Sequence, residues 1–192
     1  MSGLRTVDVT EVFALGVGEF ATRVHAVDGR WDEPSVLPGW TVRELVRHVV
    51  EEDLWAPPLF SGATVAEIGD RFAGDLLGDD PVAAFDEAAA AALAAVRAPD
   101  AMGTTVHLSF GDHPGSEYAM QLAADHLVHA WDLARSLGVD DRLDTAAVAA
   151  VADWFGSVQE LYVQAGAIAA PVAVPADADR QAKLIGLTGR TP

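Results

Sequence analysis

The chain of 192 residues contains no cysteine. Disulfide bonds, thiolate metal ligands and a protein thiol nucleophile are therefore all excluded. Any catalytic or metal site must use histidine, aspartate, glutamate or the backbone instead. The sequence also lacks a glycine-rich phosphate loop and a G-x-S-x-G motif, so nucleotide binding and serine hydrolysis have no support.

Positive charge is scarce as well. The chain has 12 basic and 29 acidic side chains, a formal net charge of -17 at pH 7, and the basic residues are scattered singly. Such a chain has no cluster that could neutralise phosphates, so nucleic acid and anionic membrane surfaces are disfavoured as partners. Its apolar runs end well short of the roughly 20 residues that a membrane-spanning helix needs. The first residues, MSGLRTVDVTEVF, show no secretory signal, and we expect a cytoplasmic protein.

Length and a hydrophobic content of 51% predict a single domain over residues 1–192. Amphipathic patterns predict long helices over residues 7–28, 41–55, 81–98 and 116–137 and from Asp144 or Thr145 onward, with short helices near 63–78 and at the C-terminus. This pattern predicts an all-α fold, a helical bundle with extra short helices. The segment TTVHLSF alternates like a β-strand and could form one short extended segment or hairpin.

Local signals mark several helix ends. Thr41 and Glu44 form a capping box, and Pro57 with Pro58 is expected to end that helix. Ser116 is the expected cap of a later helix, after a predicted turn GDHPGSE.

The stretch DHLVH, residues 125–129, introduces polar groups into a helix that should bury Leu and Val. At about 100° per residue, His129 shares an inward stripe with Leu122. Asp125 lies one turn before His129, so both side chains point the same way and could bind one ion. His48 is the candidate third ligand because it lies at the edge of the apolar face of its own helix. Two imidazoles and a carboxylate would leave coordination positions open for water or substrate.

Other interpretations of these residues remain. An aspartate and a histidine one turn apart often form an ordinary helix-surface pair, and a histidine near an apolar face is often a hydrogen-bonded core residue. His126, on a flank of the stripe, is a competing ligand. Glu51 and Glu52 could serve as a fourth ligand, a supporting partner or a base, although a solvated acidic face is the simpler interpretation.

The remaining histidines and tryptophans are weaker candidates. His113 could line the mouth of a site, but an exposed turn is the simpler explanation. The tryptophans could line a pocket or plug the core; they include Trp40, Trp55 and Trp131. His107 lies in the irregular segment before the DHLVH helix, and His25 is most simply a surface residue.

Three segments together resemble a known family. LPGWTVRELVRHVVEEDLW, then DHLVHAWDLARSLG and the tail LIGLTGRTP, are similar to the DinB and YfiT-like superfamily of metal-binding proteins. The similarity is greatest to the actinobacterial branch related to the metal-binding domain of mycothiol-dependent maleylpyruvate isomerase. The resemblance spans residues 37–192 in the expected order.

The resemblance implies a DinB-like four-helix bundle that holds a divalent metal, often zinc or nickel. The matching ligand positions are His48, Asp125 and His129. Several relatives are thiol-dependent transferases or isomerases, in which the metal lowers the pKa of a small thiol cosubstrate such as mycothiol. A chain without cysteine suits that chemistry because the sulfur is brought in. Relatives are often dimers, so a homodimer is a possible assembly.

The sequence also departs from the family pattern. The isomerase has a further C-terminal domain that contributes to its active site, and this chain is expected to be too short to contain all of it. Aspartate also replaces the glutamate ligand of some relatives. We therefore predict a metal-dependent, thiol-using transferase or isomerase of small electrophiles. The alternatives are a bundle that binds metal or a small ligand without catalysis, and a bundle without metal.

Overall fold

A computed structural model describes residues 8–164, 166 and 168–192. Its helices are α1 (Val9–Val24), α2 (Val42–Phe60), α3 (Val65–Ile68), α4 (Pro81–Val96), α5 (Gly115–Leu137), α6 (Thr145–Gln164) and α7 (Arg180–Leu187). A 3₁₀ turn over Ala101–Gly103 precedes an antiparallel hairpin of β1 (Thr105–Leu108) and β2 (Gly111–Pro114). The predicted all-α fold is confirmed, and the extended segment is this hairpin.

Four of the long helices form a closed bundle. Helix α1 packs against α5 and α4, and α2 packs against the same two helices. Large side chains such as Phe13, Phe20, Phe85 and Leu133 are fully buried between them. Helix α6 packs outside this bundle on α1 and α5, and α7 packs on α6. No helix in the described part of the chain combines the length and apolar character needed to cross a membrane.

Helix α2 begins as predicted but ends later. The Thr41 side chain accepts from the backbone of Glu44, and the Glu44 carboxylate accepts from the backbone of Thr41. The prediction that Pro57 and Pro58 end the helix is wrong, because both lie inside its last turn. Proline fits the helical φ angle, so the helix continues through both residues although each lacks an N–H for the backbone hydrogen bond. The turn closes where the backbone N–H of Ser61 donates to the carbonyls of both prolines, each at 3.1 Å.

Two other predicted helices are shorter than expected. The helix predicted over residues 7–28 runs from Val9 to Val24, after Asp8 as its cap; position 7 lies outside the described residues. The helix expected near 63–78 is the single turn α3, which ends at a glycine with a positive φ of 56°.

The segment GDHPGSE, residues 111–117, does not form the predicted turn. Its first four residues are strand β2, paired with β1, and the turn lies before them at 109–110. Main-chain pairing therefore prevails over the turn preference of glycine and proline. The predicted cap Ser116 is also wrong, because α5 begins directly after the strand at Gly115, without a side-chain cap. Gly138 ends α5 in the left-handed region, with φ of 65°, directly after residue 137, the predicted end of this helix.

Candidate metal centre

The three predicted ligand residues lie together between α2 and α5. His48 reaches across from α2, and its Nε2 lies 3.5 Å from Oδ1 of Asp125. His129 is one turn after Asp125 on α5, and its Nε2 lies 3.4 Å from the same oxygen. One nitrogen or oxygen from each residue falls within 4.8 Å of the others. The cluster therefore combines two imidazoles and one carboxylate in a space small enough for one ion.

The spacing of these atoms fits a metal ion. Ligand atoms at about 2.0–2.1 Å from zinc in a tetrahedron are separated by about 3.3 Å. The separations of 3.4 and 3.5 Å around Asp125 Oδ1 are close to that value and longer than a normal hydrogen bond of about 2.9 Å. The other carboxylate oxygen, Oδ2, is buried, and no described residue donates to it. A cation would supply the missing partner.

A hydrogen-bonded chain behind His129 fixes its orientation. Its Nδ1 lies 2.9 Å from Oδ2 of Asp132, and Arg190 donates two hydrogen bonds of 2.7 Å to that carboxylate. With Nδ1 donating to Asp132, the Nε2 atom is directed toward Asp125 and can bind a metal ion once its own proton is displaced. Neither Asp132 nor Arg190 was predicted from the sequence. The spacing of Asp132, seven residues after Asp125 and so on the same helix face, is the signal that could have revealed it.

Electrostatic interactions within the cluster favour charged side chains. Burial alone would raise the pKa of Asp125, but the neighbouring imidazoles hold it well below its usual range. Burial alone would lower the pKa of His129, but the charges of Asp125 and Asp132 and their hydrogen bonds raise it to about 9. The pKa of His48 is also raised, because Asp125 outweighs the effect of burial. The carboxylate is therefore ionised and able to bind a cation.

His126, the competing ligand, belongs to a different pair. It is fully buried, its Nδ1 lies 2.9 Å from the carbonyl oxygen of Leu122, and its Nε2 lies 3.2 Å from Oδ2 of Asp53 on α2. Phe13 and Phe20 of α1 contact the ring edge-on, at 5.3 and 6.0 Å between centroids. His126 thus points into the bundle core and away from the cluster.

The two acidic candidates on α2 differ from each other. Glu51 forms an ion pair of 2.9 Å with Arg47. Glu52 lines the same cavity as the cluster. Burial and the nearby charge of Asp125 raise the pKa of Glu52 to about 7. The simpler interpretation of a solvated face therefore does not describe Glu52, which can exchange a proton near neutral pH.

The cluster opens into a cavity of about 1100 Å³. Aromatic residues form much of its wall, namely Trp40, Phe110, Tyr118, Trp131, Trp154, Phe155 and Tyr162. Arg135 lies in the last turn of α5 and Arg190 bonds to Asp132 close by, whereas Tyr118 lies near the start of this helix. The side chains of His48 and Asp125 are 30% and 27% exposed, so a small molecule can reach the cluster.

Of the tryptophans, Trp40 and Trp131 line this cavity, whereas Trp55 packs against Phe72, with 6.0 Å between ring centroids. The Trp40 ring contacts His48 edge-on, at 5.4 Å.

The three weaker histidine candidates lie outside the cluster. His107 pairs with Asp112 within the hairpin, and His113 packs beside Phe110. His25 is exposed, as predicted.

Sequence comparisons relate the chain to one described family and to two uncharacterised proteins. A family model described as the mycothiol maleylpyruvate isomerase N-terminal domain matches residues 13–134, a range that includes the cluster. Two uncharacterised proteins from two strains of Mycobacterium tuberculosis are each 34% identical over 115 residues. The match covers 58% of this chain and 57% of each relative, so the chain spans a little over half the length of these relatives.

A solved structure shares the fold. The crystal structure of the mycothiol-dependent maleylpyruvate isomerase matches with a TM-score of 0.61 and 19% sequence identity. The match covers 81% of this chain and 70% of that chain. At this identity the likeness concerns the fold, and it agrees with the helical arrangement that the sequence predicts.

Proposed function

This chain belongs to the family of the mycothiol maleylpyruvate isomerase N-terminal domain, and from that premise we propose that it is a divalent-metal enzyme that uses a low-molecular-weight thiol. The metal ligands would be His48, Asp125 and His129. The reaction would be the transfer of the thiol to a small electrophile, or a thiol-dependent isomerisation, with mycothiol as the candidate cosubstrate. We propose that its binding partners are small molecules, and that it binds neither nucleic acid nor membranes.

One observation carries the proposal: three donor atoms within 4.8 Å of one another lie at the wall of a cavity of about 1100 Å³. A non-catalytic metal store would be better served by a site sealed from solvent. Here the cluster is open to a space of a size that would accommodate a thiol and a second small reactant together. The open site favours catalysis over storage.

Each residue has a defined task in this proposal. When bound, the metal would lower the pKa of a thiol sulfur so that it reacts at neutral pH. Asp132 and Arg190 keep the Nε2 lone pair of His129 directed at the ion. Glu52, with a pKa of about 7, would accept the proton that the thiol releases. The aromatic walls would limit water around the reacting groups.

The proposal extends to the identity of the metal, the domain organisation, the assembly and the location of the protein. Two imidazoles and a carboxylate accept zinc, nickel, iron or manganese; zinc and nickel are our first candidates. We propose that residues 1–192 form one domain, and that a homodimer is a possible assembly. The cytoplasm is the proposed location, because it keeps small thiols reduced.

The first test is the metal content of the protein, purified without a metal-affinity step, by elemental analysis. Wild type should contain about one equivalent of a transition metal, or take it up on reconstitution with zinc. His48→Ala and His129→Ala should each lose most of it, because two remaining ligands bind weakly. His25→Ala is the matched control, since His25 pairs with Asp86 at the surface.

Wild type without metal after reconstitution would contradict the metal proposal, as would unchanged metal in His129→Ala. Metal-loaded wild type is then tested for turnover with mycothiol and a panel of small electrophiles. Bound metal without turnover of any thiol and electrophile would favour the non-catalytic alternative.

A further inference from the structure

Two tyrosine hydroxyls in the cavity have no hydrogen-bond partner among the described residues. Tyr118 of α5 is 4% exposed, and Tyr162 of α6 is half-buried; both line the cavity that contains the cluster. The hydroxyl oxygen of each is buried, and no described residue bonds to either. A buried hydroxyl without a partner is costly. Two such groups lining one cavity therefore indicate a place for a ligand atom.

Both hydroxyls are donors at neutral pH. Burial raises the pKa of Tyr118 well above its usual value, and the charges of Glu52, Asp53 and Asp125 raise it further. The pKa of Tyr162 is raised as well, first by burial and then by nearby carboxylates. Asp53 near Tyr118 and Glu117 near Tyr162 are not part of the cluster, and their charges would repel an anionic ligand group. The charge pattern therefore favours a neutral acceptor, such as the oxygen of an amide, ketone or ester.

The tyrosine end of the cavity is within reach of the cluster. Tyr118 and Asp125 lie seven residues apart on the same face of α5, which corresponds to about 10 Å along the helix axis. Apolar rings pack against the rings of both tyrosines: Phe155, which also lines the cavity, lies beside Tyr162 with 6.0 Å between ring centroids, and Phe60 lies beside Tyr118 at 5.4 Å. A small molecule could thus extend from the cluster along an apolar wall to the tyrosines.

We propose that Tyr118 and Tyr162 form a binding subsite for a neutral carbonyl oxygen, presented by a ligand whose other end reaches the His48, Asp125 and His129 cluster. That the sulfur of this ligand reaches the cluster rests on the proposed function. That its carbonyl oxygen binds the tyrosines rests only on the two hydroxyls.

The test compares two thiols of similar length, N-acetylcysteamine, which carries an amide, and 1-pentanethiol, which does not. Dissociation constants are measured with zinc-loaded wild type, Tyr118→Phe and Tyr162→Phe. Each variant should bind N-acetylcysteamine about 3- to 10-fold more weakly, the usual value of one hydrogen bond, and bind 1-pentanethiol as wild type does. Unchanged affinity for the amide, or equal loss for both thiols, would overturn the proposal.

A second measurement needs no substitution. The chain contains two tyrosines, so protein labelled with ¹³C at the phenolic ring carbon gives two signals. N-acetylcysteamine should shift both signals, with or without zinc, and 1-pentanethiol should leave them largely in place. If the two signals respond to neither thiol, or shift equally with both thiols, the proposed subsite would be contradicted. Equal affinity for the amide thiol with and without zinc would instead count against the sulfur end, and so against the proposed function.

Discussion

At the scale of single residues, histidines on one helix take different roles according to their neighbours. His129 and His126 are three residues apart on α5, yet His129 faces Asp125 and the cavity, whereas His126 faces Asp53 in the core. The exposed His25 pairs with Asp86 at the surface. The role of each histidine therefore depends on which carboxylate its ring contacts and on where in the fold that contact lies.

The hydrogen bonds from His129 and from Arg190 to Asp132 predict that Arg190 strengthens metal binding without contacting the metal. Arg190→Met removes both hydrogen bonds to Asp132, which frees that carboxylate and loosens the His129 ring. Zinc affinity should fall about 10- to 100-fold, the usual effect of losing a partner behind a metal ligand. Competition with a chromophoric chelator measures it.

Arg180→Met is the matched control for this change. Arg180 lies in the same C-terminal region but pairs with Asp153 at the surface, with 59% of its side chain exposed. Its loss should leave zinc affinity unchanged. Wild-type affinity in Arg190→Met, or an equal loss in both variants, would contradict the positioning role.

The buried pair of Asp53 and His126 should contribute strongly to stability. Asp53→Ala leaves His126 in the core without its partner, and breaking such a buried pair costs about 3–5 kcal/mol in the free energy of unfolding. Urea denaturation of the metal-free protein measures it. Asp86→Ala breaks the exposed pair with His25 and should cost at most about 1 kcal/mol. A similar small loss in both variants would show that the buried pair is energetically unimportant.

At the scale of secondary-structure elements, α5 carries most of the site. Its residues Tyr118, Asp125, His129 and Asp132 recur at three, four or seven positions and so share the cavity side. Its neighbouring face, with His126, enters the bundle core. Because the helix is packed on both faces, its start must be fixed in space for the ligands to align with His48 on α2.

The start of α5 depends on a glycine. A Cβ at Gly115 would overlap the carbonyl oxygen of Ala101, so Gly115→Ala must displace the 3₁₀ turn or the helix. We expect a loss of about 1–3 kcal/mol in the free energy of unfolding, measured by urea denaturation.

Gly156→Ala provides the opposite case for the same substitution. A Cβ at Gly156, inside α6, would meet no atom within 4 Å. Alanine there should stabilise the protein by about 0.5–1 kcal/mol, because it favours the helix. A stable Gly115→Ala variant would refute the close contact.

At the scale of the whole molecule, the bundle supplies the core and its additions supply the cavity. Helices α1, α2, α4 and α5 enclose the core, and α2 and α5 present the cluster. Tyr162 of α6 and the C-terminal residues 188–191 complete the cavity wall. The outer elements are therefore part of the candidate site as well as of the fold.

If residues 1–192 form one domain, they should unfold in one cooperative step. Helical content by circular dichroism and tryptophan fluorescence should give the same urea midpoint, because α6 and α7 pack on the bundle. Zinc should raise that midpoint, since a ligand that binds only the folded state stabilises it. Two separated transitions would contradict the single domain.

The sequence by itself determined the local features of this protein. The capping box at Thr41, the end of α5 at Gly138 and the placement of Asp125 one turn before His129 all follow from contacts between near neighbours in the chain, which helix geometry fixes. The helical class followed from the apolar periodicity for the same reason. The family resemblance pointed to His48, Asp125 and His129, the same three positions that helix geometry suggested.

Only the tertiary structure decided how each helix is rotated about its axis and which residues distant in the sequence contact it. Packing turned His126 toward Asp53, 73 residues away, and brought Arg190 back to Asp132 across 58 residues. Helix α2 also continues through two prolines, and residues 111–114 pair with β1 as a strand. These outcomes depend on contacts between distant segments, whose energies arise only when the bundle is assembled, and so local sequence patterns do not encode them.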